Sequence, residues 1–429
     1  MRILFISHNS IPQPTSNGSA IHISTIINTL QENGNEVHLL IYGVTDFSPE
    51  SGWKNREKEI LIERLESKGI HTHILPKKDV GALKEKIGKS NAIHEAFKQL
   101  ISPDPTIYYE GPYYWHEIRE YAQTINAEAV IAYSFEGVSA ACALKGEIPL
   151  VASTVDLDHV VRRLRRPKPQ SHKLKALALD FYQRILLMRL SKVEVSLLQQ
   201  CDLVYSHAAQ HCRWLQEHKV EKATYLPVAV PDNAKRFFTK EKDVNDPLRI
   251  IMVGAVNNTA TRMGIRYFTR HIAPDLDALW RKTHGFELQI FGGGKLDEKT
   301  KNKLDFEWVK VMGYVENIGI EFYNSDILLV PIPDNLGFRT RISEGFSYGC
   351  CVITHVANTL GMAELRENEN SLVCANSGEF ISAISSCLNS RELRERISRA
   401  ARKTYEEKLD GRKVGLRILA DLERVKANY

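Results

Sequence analysis

Twice in this chain a short aliphatic run gives way to a turn and then to a helical pattern: Arg2–Ser7 opens the first half, and Leu248–Gly254 opens the second. Runs of that length bounded by turn residues read as buried strands, and strands alternating with helices imply a parallel sheet covered by helices. In the first half the pattern continues with a polar loop over His8–Ser19, a helix over Ala20–Glu32 and strands at Glu36–Ile41, Ile70–Leu75, Ala129–Tyr133, Pro149–Val155 and Leu203–Ser206. Long helices are expected to fill Lys173–Gln200. In the second half it repeats as a helix near Gly264–Ala278 and strands at Phe286–Phe291, Trp308–Met312, Ile327–Val330 and Cys351–Thr354. The expected division is a first domain over 1–230, a Pro- and Lys-rich linker over 231–247, a second domain over 248–410 and a closing helix over 411–429.

With 429 residues the chain has room for two such domains, and 43% hydrophobic with 25% charged residues is a globular composition. No run approaches the length of a membrane span, and Met1–Ser7 is too short and too soon polar for a signal peptide, so a cytoplasmic location is expected. The seven cysteines form no C-x-x-C pair, which argues against a cysteine zinc site and a disulfide framework. A net charge of +5 does not indicate nucleic-acid binding, and the basic stretch Arg162–Lys192 lacks the aromatic interleaving of a single-strand binder. That stretch reads either as a solvated face or, beside Ile185-Leu186-Leu187-Met188, as contact with an anionic membrane surface or glycan.

The chemistry concentrates in Gly337-Phe338-Arg339-Thr340-Arg341-Ile342-Ser343-Glu344-Gly345-Phe346, followed by Ser347-Tyr348-Gly349 and the strand at Cys351. A glycine turn opening a helix presents backbone N–H groups at a positive dipole end, two arginines add charge suited to phosphate oxygens, and Glu344 offers an acceptor one turn in. An ordinary amphipathic helix with solvated charges is the alternative. Ahead of it, Gly254, the run Gly292-Gly293-Gly294 and Gly313 each stand at a strand end, where a simple turn is the plain explanation. Neither Gly254 nor the Gly292 run builds the G-x-G-x-x-G of a dehydrogenase.

This segment resembles the donor-binding signature of glycosyltransferase family 4 and its neighbours, a Gly-x-Arg-x-Lys-x-x-Glu stretch before small residues and a strand; here it is Gly337, Arg339, Arg341, Glu344, Gly349 and Val352. The resemblance implies the GT-B fold, two Rossmann-like parallel-sheet domains facing a cleft with a C-terminal helix crossing back to the first. It implies sugar transfer from a nucleoside diphosphate sugar to a glycan, lipid-linked or other acceptor, with retention, no cofactor and no required metal. By the same resemblance Tyr314 and Val315 flank the base, Glu344 bonds the ribose, and Gly337, Phe338, Arg339, Thr340 and Arg341 face the diphosphate or sugar. Gly254, Arg262 and Gly292 line the strand ends, with Gly18 and Ser19 of the first domain approaching the phosphates or simply capping a helix. Asp156, Asp158 and His159, after the strand Pro149–Val155, match a family Asp-x-His-Asp or Asp-x-His-Asn with the last two types exchanged. They serve as hydroxyl binders or base, or as a helix cap with an interfacial histidine. Two departures stand out. Leu336 occupies the place of a second family glutamate, with Asp334 the nearest carboxylate, and Arg262 is the only basic residue near the Gly254 turn. Asp156-Leu157-Asp158 and Asp275-Leu276-Asp277 imitate a metal-binding D-x-D, but the second falls in a helical pattern. A non-catalytic partner of a transferase and a nucleotide-sugar epimerase or hydrolase are the rival readings.

Overall fold

The structure, a computed structural model, describes residues 1–8, 12, 18–44, 53–78, 104–165, 174–234, 247–256, 258–334 and 336–429. It divides into two units, Met1–Leu226 with Gly415–Tyr429, and Pro227–Val414.

The first unit is built on seven strands: β1 (Arg2–His8), β2 (Glu36–Val44), β3 (His71–Pro76), β4 (Ala129–Tyr133), β5 (Leu150–Thr154), β6 (Leu203–Ser206) and β7 (Ala223–Tyr225). All pair in parallel, in the order β3-β2-β1-β4-β5-β6-β7. Ile3, Leu4, Phe5 and Ile6 of the central β1 are inaccessible to solvent, which explains why the strand reads as an unbroken apolar run: helices cover both faces. The chain reverses direction across the sheet between β1 and β4, so loops after these strands diverge and leave a crevice at their carboxyl ends. The closing helix, Gly411–Lys426, returns to this unit. Gly415 lies against Thr29, the Tyr205 hydroxyl donates to Asp421 Oδ2 at 2.6 Å, and Lys426 Nζ lies 2.5 Å from Glu128 Oε1.

The second unit holds six parallel strands, β8 (Leu248–Val253), β9 (Phe286–Phe291), β10 (Val309–Gly313), β11 (Ile327–Val330), β12 (Cys351–His355) and β13 (Leu372–Cys374), in the order β10-β9-β8-β11-β12-β13. The same reversal recurs between β8 and β11. The unit gains the residues from Pro227 onward because Val228 and Val230 are buried in its core, the Val230 carbonyl accepts from the Tyr405 hydroxyl at 2.8 Å, and Asp232 holds Arg402 through two contacts of 2.8 and 2.7 Å. Most of the expected linker, 235–246, lies outside the described residues.

The helix expected near Gly264–Ala278 is two helices, Thr259–Tyr267 and Ala273–Thr283, joined by a π-turn at Phe268–Ile272. Pro274, at the start of the second, has no N–H to continue an α-helical ladder. Asp277 within it bonds Arg281 and the Trp308 indole, a structural role for the second D-x-D. Among the described residues no helix is long and apolar enough to cross a membrane.

Candidate functional site

Gly254 ends β8 and Gly292 ends β9, and the two strand ends are fused by close backbone contact. The Gly254 N–H donates to the Phe291 carbonyl at 2.9 Å and the Gly292 N–H to the Gly313 carbonyl at 2.7 Å. Over Gly254 lies the guanidinium of Arg341: a Cβ built on that glycine would stand 2.7 Å from both Nη atoms and 2.6 Å from Thr261 Oγ1. Arg341 Nη2 donates to that Thr261 hydroxyl at 3.0 Å. The sheet thus brings together Gly254, from the end of β8, and Arg341, from the helix Thr340–Ser347 that follows β11. Arg339 occupies the cap position of this helix, and no side chain caps its N–H groups.

The electrostatics of this corner favour an anion. Burial, with the charge of Arg339 beside it, pulls the Arg341 guanidinium down to about 10, while Glu344 pulls it back up. At neutral pH Arg341 is still charged in all but about one molecule in a thousand. Two cations that repel each other next to an uncapped helix start, with Asp334 acting on Arg339 and Glu344 on Arg341, form a site suited to an anion. Burial pushes the Glu344 carboxyl up to about 7, against the opposing pull of Arg341. Around neutrality it therefore exchanges between carboxylate and acid, either of which bonds a hydroxyl. Two further polar atoms, Asp334 Oδ2 and Ser343 Oγ, are buried without a hydrogen-bond partner among the described residues.

The raised Glu344 carboxyl carries a stability signature. From its ordinary value of 4.5 up to about 7 the folded chain holds this proton more tightly than the unfolded chain, so stability drops as pH rises through that window and the loss is complete above it. Glu344→Gln, which mimics the protonated form, is expected to raise the thermal unfolding midpoint at pH 8 and to leave it nearly unchanged at pH 4.5. Melting curves of parent and variant at both values check this.

The remaining expected donor residues divide by environment. Arg339 is buried, and its Nε donates to Asn358 Oδ1 at 2.8 Å and an Nη to the Asp334 carbonyl at 2.9 Å, so part of its donor set braces the turn. Gly337, Phe338 and Leu336 are buried in the same turn, with Phe338 in the apolar core, and Thr340 is half-buried. Tyr314 is 77% exposed, whereas Val315 packs partly against that core. Arg262 is exposed on the helix Thr259–Tyr267.

In the first unit a separate cluster forms at the carboxyl ends of β1, β4 and β5. Gly18 and Ser19 open the helix Gly18–Glu32, with Ser19 bonded to the Tyr133 hydroxyl that also feels the charge of Asp156. His159 Nδ1 lies 2.5 Å from Glu194 Oε2, and the His159 backbone N–H donates to Glu194 Oε1 at 2.8 Å. Glu194 is wholly buried, which raises its carboxyl, while His159 draws it back down. An Nδ1–H donated to a carboxylate leaves Nε2 as the acceptor, the form a hydroxyl-binding or proton-taking imidazole needs. The His159 ring rests 4.8 Å from that of Trp214. Asp158 starts the helix Asp158–Arg165, where its charge suits the dipole, and raises Tyr109, Glu136 and Glu194 nearby. Asp156 Oδ1 lies 3.6 Å from His211 Nδ1; burial pulls His211 down to about 4, so the two are not an ion pair at neutral pH.

Glu194 and His211 went unnoticed in the sequence. Glu194 had a signal: in the helix Leu174–Leu198 it occupies the buried stripe with Leu190, Val193, Leu197 and Leu198, where a lone acid needs a partner.

Residues 247–390, from the start of β8 to the helix Ser377–Asn389, match the family model described as Glycosyl transferases group 1. That segment of the second unit is similar to group 1 glycosyl transferases. No curated protein matches the chain. Solved structures similar to the whole chain include HepE from Anabaena in complex with UDP, with 13% identity, 99% of this chain and 100% of that one covered, and a TM-score of 0.65. Sucrose-phosphate synthase from Thermosynechococcus elongatus has 13% identity, full coverage of both chains and a TM-score of 0.66. The putative UDP-N-acetylglucosamine 2-epimerase from Listeria monocytogenes has 12% identity, coverage of 100% and 97%, and a TM-score of 0.55. The fold is the GT-B architecture of two Rossmann-like units, and Gly254, Arg341 and Glu344 all lie inside the matched segment.

Proposed function

We propose that this chain is a glycosyltransferase that takes a sugar from a nucleoside diphosphate sugar and delivers it to a glycan, lipid-linked or other acceptor. The observation that carries the reading is the pair of mutually repelling guanidinium groups, Arg339 and Arg341, at an uncapped helix start above Gly254, with Glu344 one turn away. A diphosphate suits this positive helix start. As the glycosidic bond breaks, negative charge grows on the leaving phosphate oxygen, and preorganised N–H groups with the charged Arg341 stabilise it more than they stabilise the bound donor. That division of labour requires no metal ion, and retention of configuration follows the family resemblance. Glu344 bonds the ribose. Uridine is the first base to test, because HepE is found with UDP and with UDP-glucose.

His159, oriented by Glu194, handles a sugar or acceptor hydroxyl. Glu194→Gln keeps size and polarity but removes the charge that sets the imidazole, so kcat is expected to fall about tenfold to a hundredfold with KM for the donor little changed. A fall in stability with kcat intact would make the pair structural only. On the helix Leu174–Leu198, exposed Phe181 and Met188 share a face with Arg184 and Lys192, an arrangement suited to the surface of an anionic membrane; the basic run 166–173 lies outside the described residues. Flotation with vesicles containing phosphatidylserine, and not with neutral ones, is the expected result.

The deciding experiment is calorimetry with UDP, GDP, ADP and their sugar conjugates in EDTA, followed by turnover with and without acceptor. One base bound tightly, with turnover that acceptor accelerates, supports the transferase. Turnover indifferent to acceptor favours an epimerase or hydrolase, a reading that the fold shared with the Listeria protein keeps in play. No binding by the folded chain moves the weight to a non-catalytic partner.

A further inference from the structure

A second group of ligand-bearing side chains stands at the opposite end of the first unit's sheet. Glu36 and His38 lie two residues apart at the start of β2, and the strand register sets His38 beside His71 at the start of β3, so all three fall on one face. Glu36 Oε1 is 2.8 Å from His38 Nε2 and 4.0 Å from His71 Nε2, and one ligand atom from each residue lies within 4.8 Å of the others. Two donors on one tetrahedral zinc ion, each bound at about 2.0–2.1 Å, are separated by about 3.3 Å. The observed 2.8 and 4.0 Å bracket that figure, so closing the group around an ion requires only side-chain adjustment.

The surroundings support the same use. Tyr121 places its hydroxyl 3.3 Å from His38 Nδ1 and its ring 4.2 Å from that of His73, the next residue along this face of β3. A partner at Nδ1 fixes the ring orientation and turns Nε2 toward Glu36 and His71, as the outer partner of a metal-bound imidazole does. The rings of His38 and His71 stack with centroids 4.7 Å apart. His71 and Glu36 are 60% and 48% exposed, which leaves an entry path and room for a water ligand. None of these residues takes part in the proposed transfer: they begin their strands, whereas the transfer residues of this unit follow strand ends.

We infer that Glu36, His38 and His71 form a binding site for a borderline divalent transition-metal ion, with zinc the first candidate, that clips the edge strand β3 to β2. Two imidazoles and one carboxylate suit zinc, cobalt or nickel and are poorly matched to calcium or magnesium. On binding, the proton between His38 Nε2 and Glu36 Oε1 passes through solvent to Nδ1, which donates it to the Tyr121 hydroxyl, so the ring stays a neutral imidazole while the metal takes the place between Nε2 and Oε1. Because β3 pairs with β2 alone among the described residues, the clip acts at an edge of the described sheet.

The test uses the untagged full chain, stripped with chelator and titrated with zinc chloride by calorimetry, with cobalt absorption as a second readout. One ion per chain is expected, together with an unfolding midpoint that climbs with free zinc. His71→Ala and Glu36→Gln should each weaken zinc binding by about tenfold or more. Both side chains are largely exposed, so metal-free unfolding curves of the variants should match the parent's. UDP binding should be unchanged in either variant. Absence of saturable zinc binding, or a His71→Ala chain that binds zinc as tightly as the parent, overturns the inference.

Discussion

Replacing Arg341 by alanine is expected to weaken nucleoside diphosphate binding by about a hundredfold while the chain remains folded. A charge-assisted hydrogen bond to phosphate contributes about 1.5–3 kcal/mol, and the upper half of that range is two orders of magnitude in affinity. Arg341 also fills the space above Gly254 and bonds Thr261, so its loss opens a small void beside an existing cavity lined by Gly254, Thr261, Pro331 and Ile332. That packing loss touches stability, and Arg341→Lys separates the two effects. Lysine restores the charge without the two-pronged geometry, and should recover stability and part of the affinity. Arg339→Lys should behave differently, because Arg339 braces Asn358 and the Asp334 carbonyl: here the unfolding midpoint drops first. Isothermal titration with UDP beside thermal melts distinguishes the pair, and equal affinity in the parent and Arg341→Ala would remove Arg341 from the donor site.

Gly292→Ala is expected to destabilise the second unit by about 2–5 kcal/mol. Gly292 has a φ of +153°, and an added Cβ would meet the Gly254 carbonyl oxygen at 2.0 Å and its carbon at 2.4 Å. Backbone cannot move aside as a side chain can, since the Gly254 N–H is tied to the Phe291 carbonyl in the neighbouring strand. Unfavourable φ costs about 1–2 kcal/mol and overpacking about 1–3 kcal/mol, and here they add. Gly34→Ala supplies the comparison: its φ is +76° but nothing lies within 4 Å of the added carbon, so only the backbone term applies, about 1–2 kcal/mol. Urea unfolding of both variants should separate them, and equal midpoints would mean that the strand ends do not press on each other as described.

The contrast between these residues shows what a linear reading can reach. Strands such as Ala129–Tyr133 and Phe286–Phe291 were legible to the residue because both faces of each sheet are buried and the apolar run coincides with the strand. β7 and β13, three residues each at the sheet edges, are too short to show a period. In the candidate site, the motif around Gly337 marks a neighbourhood but cannot rank its arginines. Only the packing shows Arg341 over Gly254 and Arg339 partly engaged with Asn358. Phe338 sits in the core because the turn is folded inward, a fact invisible in its spacing. Glu194 is 35 residues from His159, and Glu36 with His38 stands far along the chain from His71; pairings of that kind depend on helix docking and strand register.

The return of residues 415–429 to the first unit bears on how the protein is made. Synthesis delivers Met1–Leu226 first, yet the unit lacks the helix that carries Gly415, Asp421 and Lys426 until these residues have left the ribosome. The second unit, Pro227–Val414, is a single uninterrupted stretch and is complete sooner. The first unit, begun first, is therefore completed after the second, and a ribosome that stalls or a message cut short just after Val414 yields a nascent chain with a finished second unit and an open seam along Thr29, Tyr205 and Glu128. Such chains, with apolar surface left uncovered along that seam, are natural clients for chaperones and proteases.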